Sequence, residues 1–228
     1  MAFGTGKVSA DDRETPFRAL EDLLPILSAL GTISCQSNLL QLSIYDPYYC
    51  NGRIKIHLEN LGFNSNLIQN EPTDCYVAQK NGKVKPFDIL LSNPPYSGDH
   101  IRRCIHYSVK CQKPWALLLP SNVIHRSWFL EEIQDSSILY VAPHSRYEFE
   151  VGTTSQSHVP LVTMWFIGFP SNDDGLKEMI YQCWNDSSQK KGAVLADSFE
   201  GLPRKIRKLL PFTEARAKKG QKRKKSEV

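Results

Sequence analysis

The run Ser92-Asn93-Pro94-Pro95-Tyr96 closes a buried-looking apolar stretch, Phe87-Asp88-Ile89-Leu90-Leu91-Ser92. Residues of these types in this order can hold an amine. The Asn93 side-chain oxygen and the Pro94 backbone carbonyl are two hydrogen-bond acceptors. The two prolines fix the backbone so that this carbonyl points inward, and Tyr96 offers a ring on which a planar base can stack. An exocyclic amine on adenine is a poor nucleophile because its lone pair is delocalised into the ring. Two acceptors that hold its two N–H groups draw the nitrogen toward a tetrahedral, nucleophilic geometry. No strong base is needed before the amine attacks; orientation for in-line transfer supplies most of the effect. In α/β folds, ligand sites lie beyond the carboxyl ends of strands, which is where this run is expected to stand.

Three upstream features accompany it. Tyr45-Asp46-Pro47-Tyr48-Tyr49-Cys50-Asn51-Gly52 is an acid, a proline, four residues and a glycine, with Asp46 lying 47 positions before Asn93. Glu14-Thr15-Pro16 precedes that loop, and Asp74-Cys75-Tyr76 lies between it and the Asn-Pro-Pro-Tyr run. Taken singly, these also read as a turn after a strand, a helix cap and a solvated loop acid. In this order, over about residues 15–169, they resemble the amino-methyltransferases that use S-adenosylmethionine, in particular the gamma-class N6-adenine methyltransferases. The resemblance implies a Rossmann-like class I α/β sheet with helices on both faces. It implies that Asn93 and Pro94, with Pro95 behind them, orient the target amine and that Tyr96 stacks the flipped base. It assigns Thr15, Pro16, Asp46, Pro47, Tyr48 and Gly52 to the methionine end of the cofactor, and Asp74 to its adenine amino group. The glycine lets the backbone approach the cofactor closely.

The Asp46 loop lacks the Gly-x-Gly of most S-adenosylmethionine sites and is similar instead to the gamma-class loop, with its acid, proline, four residues and glycine. The chain departs from that family in one place. The family has a second strand ending in an acid that holds the cofactor ribose, and here only residues 64–73 separate Phe63 from Asp74. A crossover between parallel strands takes about a dozen residues. The second strand is therefore expected to be lost, or shortened with Asn70-Glu71 at its end and Glu71 as the ribose ligand. Downstream, the family places an aromatic on the other face of the flipped base, for which Tyr147 or Phe149 qualifies; core packing is the ordinary role of such residues. His100 follows the catalytic loop and either touches substrate or opens a helix. Arg102 and Arg103 either meet phosphates at the pocket mouth or lie on a solvated helix face.

The elements that must position these residues follow from hydrophobic spacing. A helix is predicted from Thr15, with Pro16 at its first position, a kink at Pro25 and a stop at Gly31. Strands are predicted over residues 39–45, 87–92, 115–119, 138–141 and 161–169, and helices over 53–61, 100–111, 128–133 and 176–184. Alternating strands and helices give an α/β sheet. The division is a lead-in at 1–14, a methyltransferase domain at 15–185 and a basic, disordered extension at 186–228.

Composition bounds the rest. With 228 residues, 41% hydrophobic and 23% charged, the chain suits one globular domain with appendages. No apolar run approaches the ~20 residues of a membrane span, and the polar start carries no secretory signal. Six scattered cysteines without a C-x-x-C point to reduced thiols inside the cell. No His/Cys/Asp cluster has ligand spacing, so no metal is implied. The net charge of +4 is asymmetric: residues 204–228 carry 11 Lys/Arg and two acids, whereas residues 1–203 carry 17 basic and 22 acidic residues. The run Lys218-Lys219-Gly220-Gln221-Lys222-Arg223-Lys224-Lys225 resembles a nuclear or nucleolar address and grips phosphates without regard to sequence. The gamma-class DNA enzymes carry a large recognition domain after the catalytic one, and this chain has 59 residues beyond Phe169. Nucleic acid, RNA slightly ahead of DNA, is the expected substrate, with a protein partner as a source of specificity. Two alternatives stand beside it: methylation of a protein glutamine amide, and a non-catalytic scaffold subunit of the same fold.

Overall fold

The computed structural model describes residues 13–35, 41–134, 136–149, 162–170, 174–187 and 192–209. Thr15 and Pro16 lead into helix α1 (Phe17–Cys35), which continues past Gly31. Ala29 and Leu30 are buried there, and the Thr32 hydroxyl donates back to the Ser28 carbonyl at 3.0 Å. Packing of the apolar face therefore overrides the glycine stop.

Strand β1 (Ile44–Tyr45) is followed by helix α2 (Arg53–Asn60), strand β2 (Ile68–Gln69) and helix α3 (Cys75–Lys80). Then come β3 (Ile89–Ser92), α4 (His100–Lys110), β4 (Trp115–Pro120), α5 (Ser127–Glu132) and β5 (Ser137–Pro143). The chain continues through β6 (Thr163–Phe169), α6 (Asp174–Asp186), β7 (Ala193–Ala196) and α7 (Arg204–Leu209). The seven strands form one mixed sheet in the order β2-β1-β3-β4-β6-β5-β7. The first four pair in parallel, and β6, β5 and β7 pair antiparallel. This α/β architecture is consistent with a Rossmann-like fold.

Adjacent residues of a strand face opposite sides. Leu91, Ala116, Leu118, Trp165 and Ile167 join Leu20, Leu27, Leu58 and Ile180 on the face covered by α1, α2 and α6. Leu90, Trp115, Leu117, Leu119 and Phe166 join Ile105, Phe129 and Ile206 on the other, under α4, α5 and α7. Burial on both faces explains why the central strands read as unbroken apolar runs. Gly168 lies opposite Trp115, and a Cβ there would come within 2.1 Å of the indole.

Of the two alternatives for the second strand, the structure has the shortened one: β2 is two residues long, ends just before Asn70 and pairs with β1 through Ile44–Ile68 and Tyr45–Gln69. It needs no crossover within 64–73, because α2 makes the connection before it and α3 the one after it. The expected boundary at 185 needs correction, because the ordered fold does not end there. Strand β7 pairs with β5 through Ala142–Val194 and neighbouring residues, and Ile206 of α7 is buried. Two short elements with four and six residues carry too little periodicity to announce themselves. Residues 1–12 and 210–228 lie outside the described residues, and with them the whole basic run 218–225. No described helix is long and apolar enough to cross a membrane.

Candidate functional site

The chain leaves β1 for the sheet edge at β2 and returns to β3 on the other side of β1. Helix α2, which follows β1, lies on one face, and α4, which follows β3, lies on the other. Neighbouring strands whose connections part to opposite faces leave a crevice at their carboxyl ends. Asp46 and Asn93 are the first residues beyond β1 and β3, so both stand at that crevice.

Asp46 is 4% exposed. Its Oδ1 accepts from the Ser92 hydroxyl at 2.6 Å and from the Tyr48 amide at 3.2 Å. Burial pushes its carboxyl up to about 7, against the pull of the Ser92 and Tyr48 hydrogen bonds, and the like charge of Glu14 adds to the rise. Burial also raises the Glu14 carboxyl, whose Oε1 accepts from the Asn51 amide at 2.7 Å. Among the described residues no basic side chain pairs with Asp46. Asn70 is 1% exposed; its Nδ2 donates to the carbonyls of Asp46 and Tyr48, at 3.3 and 3.2 Å, and its Oδ1 is buried without a partner. A buried acid and an orphaned amide oxygen at one crevice form a place that suits a cationic or N–H-bearing ligand. The loop between them turns through two left-handed residues, Cys50 at φ 48° and Gly52 at φ 75°. The positive φ of Gly52 favours glycine, and a Cβ there would press on the Tyr49 ring at 3.0 Å. A cavity of about 60 Å³ adjoins Asp46, Pro47, Gln69, Glu71 and Thr73.

Asn93 is held at both ends of its amide. Its Nδ2 donates to the Arg13 carbonyl at 2.9 Å, and its Oδ1 accepts from the Tyr96 hydroxyl at 2.7 Å. That hydroxyl also lies 3.0 Å from the Leu118 carbonyl. Pro94 and Pro95 are buried. Phe149 meets the Tyr96 ring edge-on, with centroids 6.4 Å apart at 85°, and the Arg13 guanidinium lies 5.8 Å over the Phe149 ring. Tyr147 does not join them. It is 3% exposed, in the core beside α1, and its hydroxyl donates to Asp22 at 3.0 Å. Of the two aromatics at 147 and 149, the one against Tyr96 is Phe149.

The remaining predicted residues divide. Thr15 is buried, and Pro16 accepts the first hydrogen bonds of α1 through its carbonyl. Asp74 caps α3, accepting from the Tyr76 and Val77 amides at 2.9 and 3.2 Å, a structural task for the carboxylate expected at a cofactor. Glu71 pairs with Lys55 at 3.1 Å and is 63% exposed. Tyr48 is buried, and its hydroxyl bonds that of Tyr76 at 3.0 Å. Tyr76 in turn bonds His100 Nδ1 and stacks on that ring, and the Arg103 guanidinium sits 3.4 Å from the centre of the Tyr76 ring. His100 thus opens α4 and also ties it to α3.

Ser92, Asn70, Glu14, Arg13 and Tyr76 escaped the sequence reading as site residues. Ser92 and Asn70 stand at strand ends, and only the register of β1 against β3 and β2 brings them to Asp46. Arg13 acts through its backbone carbonyl, which no residue type reveals. No protein-family model matches this chain, and no curated protein matches it.

Proposed function

We propose that this chain is a class I methyltransferase that moves a methyl group from S-adenosylmethionine to an exocyclic amino group, adenine N6 in nucleic acid, with RNA favoured over DNA. One observation carries the reading: Asn93-Pro94-Pro95-Tyr96 stands at the carboxyl end of β3 beside the buried Asp46 at the end of β1. The cofactor fits the charges of the crevice. It brings an ammonium and a sulfonium to a site with one buried acid, Asp46, one half-buried acid, Glu14, both of raised pKa, and an unpaired amide oxygen. Asp46, the loop through Gly52 and Asn70 would hold it. When bound, it supplies an electrophilic methyl group.

The chain's own residues do the rest. The Arg13 carbonyl holds Asn93 Nδ2, which leaves Oδ1 as the acceptor on the Tyr96 side. Oδ1 and the Pro94 carbonyl receive the two N–H groups of the target amine. The amide oxygen has two lone pairs, so it accepts the amine while the Tyr96 hydroxyl stays or turns wholly to Leu118. Tyr96 and Phe149, set edge to face, give the base an aromatic wall. Ser92 locks the two loops together through Asp46. The basic run at 218–225 supports nuclear or nucleolar residence and added phosphate grip, and a protein partner would supply target selection.

A non-catalytic scaffold draws on one contrary observation, that both ends of the Asn93 amide already have partners within the chain. Titration with S-adenosylmethionine and transfer of a labelled methyl group to RNA and DNA separate these readings. Expected are micromolar cofactor binding, transfer to an adenine, and loss of transfer with cofactor binding retained in Asn93→Ala. Equal loss of both in that variant would reassign Asn93 to the cofactor. Cofactor binding with transfer only to a protein glutamine would change the substrate class, and absence of binding would leave the scaffold.

A further inference from the structure

A cavity of about 620 Å³ lies open between α3, α4 and α5. Its rim carries Lys80, Arg102, Arg103 and Lys110 against two acids, Asp99 and Glu132. Arg102 and His106 both reach Glu132, at 3.5 and 2.9 Å, so that acid is matched within the wall. The groove is therefore net positive, although residues 1–203 together are acidic, with 17 basic and 22 acidic residues. A basic groove on an acidic body selects a polyanion. Its second feature is planar. The exposed Arg103 guanidinium lies 3.4 Å over the ring of Tyr76, which also meets Tyr48 and His100, and Tyr107 lines the same cavity. A guanidinium stacked on a ring is a flat cationic platform that takes a base on its face or a phosphate at its edge. The groove also begins at the catalytic loop: Asp99, three residues after Tyr96, is part of its lining.

We propose that this groove binds a single-stranded polynucleotide alongside the target base, with Lys80, Arg103 and Lys110 on phosphates and the Arg103–Tyr76 stack under a neighbouring base. The proposal rests on the reading of a nucleic-acid adenine as substrate and gives that substrate its path. A base can lie on the Arg103–Tyr76 stack only when it is free of a partner strand, so the strand enters unpaired. Stacking surfaces favour a polynucleotide over an acidic peptide, which needs charge alone.

The test uses the full chain, with its basic tail, and a short fluorescein-labelled single-stranded RNA containing adenine. Anisotropy titrations at about 50 and about 200 mM salt compare the natural protein with Lys80→Glu/Lys110→Glu and with Lys80→Arg/Lys110→Arg. The charge reversal is expected to weaken binding by about tenfold or more and to flatten the salt slope by about 1.4, near 0.7 for each lost single-strand contact. The arginine pair should bind like the natural protein. Melting temperatures check folding; if the double reversal melts early, Lys110→Ala alone reads the same slope with about half the change. Unchanged affinity in a folded reversal variant overturns the groove, as does a polyglutamate peptide that binds as tightly as the RNA. Groove-dependent RNA binding without methyl transfer would sink the methyltransferase reading and leave the groove standing. Transfer with an unchanged KM in the reversal variant would do the opposite.

Discussion

The parallel and antiparallel halves of the sheet divide the labour of this molecule. In the parallel half, β2, β1, β3 and β4 have two, two, four and six residues, and buried polar groups stand at the ends of the first three. Asp46, Asn70, Ser92 and Asn93 all cluster at their carboxyl ends. In the antiparallel half, β5 and β6 have seven residues each, and every residue of β6 is buried. The physical difference is direction. Parallel strands bring their carboxyl ends to one edge, so polar residues from distant segments converge. Antiparallel strands alternate, and no such edge forms. The long antiparallel ladder and its apolar faces then carry stability, which lets the short strands tolerate buried polar groups at the edge where the ligand site is proposed.

Several substitutions would break or sharpen that division. The largest effect is expected at Trp165 in β6, fully buried with its indole N–H on the Ala19 carbonyl at 2.8 Å. Trp165→Ala should cost about 3–5 kcal/mol in a urea melt; a loss under about 1 kcal/mol would remove the antiparallel half as the source of stability. Next is pH. Burial raises Asp46 from 3.8 to about 7, so between those values the folded chain keeps a proton that the unfolded chain has released. Stability should therefore fall as pH rises through that window, by at most about 4 kcal/mol, with the full penalty present above it. Thermal melts at acid and alkaline pH should show the fall in the natural protein and its absence in Asp46→Asn; parallel profiles would exonerate Asp46.

Asn93→Ala should lower the proposed methyl transfer by about 10²–10³-fold, the scale for one well-placed hydrogen-bonding group, and cost only about 1–2 kcal/mol of stability through the two hydrogen bonds it gives up. A large stability loss instead would make Asn93 a structural tie between Arg13 and Tyr96. Tyr147→Phe should cost about 1–2 kcal/mol by stripping a hydrogen bond from the buried Asp22, with transfer unchanged while Phe149→Ala impairs it. Similar transfer defects in both would return Tyr147 to the site. The smallest effect is expected at Glu71, whose pair with Lys55 is mostly exposed; Glu71→Ala should move stability by under ~0.5 kcal/mol. A tenfold loss of cofactor affinity there would restore it as the ribose ligand.

Much of this was legible in the chain itself. The central strands announced themselves because burial on both faces leaves apolar runs such as Trp115-Ala116-Leu117-Leu118-Leu119. Helix α4 followed from its spacing, and the Asn-Pro-Pro-Tyr run fell one residue past β3 as its position after that strand predicted. Elements too short to show a period are harder to read: the spacing leaves β2 either lost or shortened, and it is shortened, whereas β7 falls in the stretch read as a disordered extension. Gly31 was read as a stop because local propensity is weaker than the packing that carries α1 on to Cys35.

For the site, sequence alone determined the identity and chain order of the chemical groups, because residue types and a two-proline turn are local properties. Which of those groups meet is a matter of strand order and register, and these only the tertiary structure decided. It brought Ser92 to Asp46 across 46 residues and Asn93 to the Arg13 carbonyl across 80. It turned Asp74 into a helix cap and put Tyr147 in the core. A carboxylate or a phenol does whatever its nearest donors and acceptors allow, and those neighbours come from segments that no spacing along the chain relates.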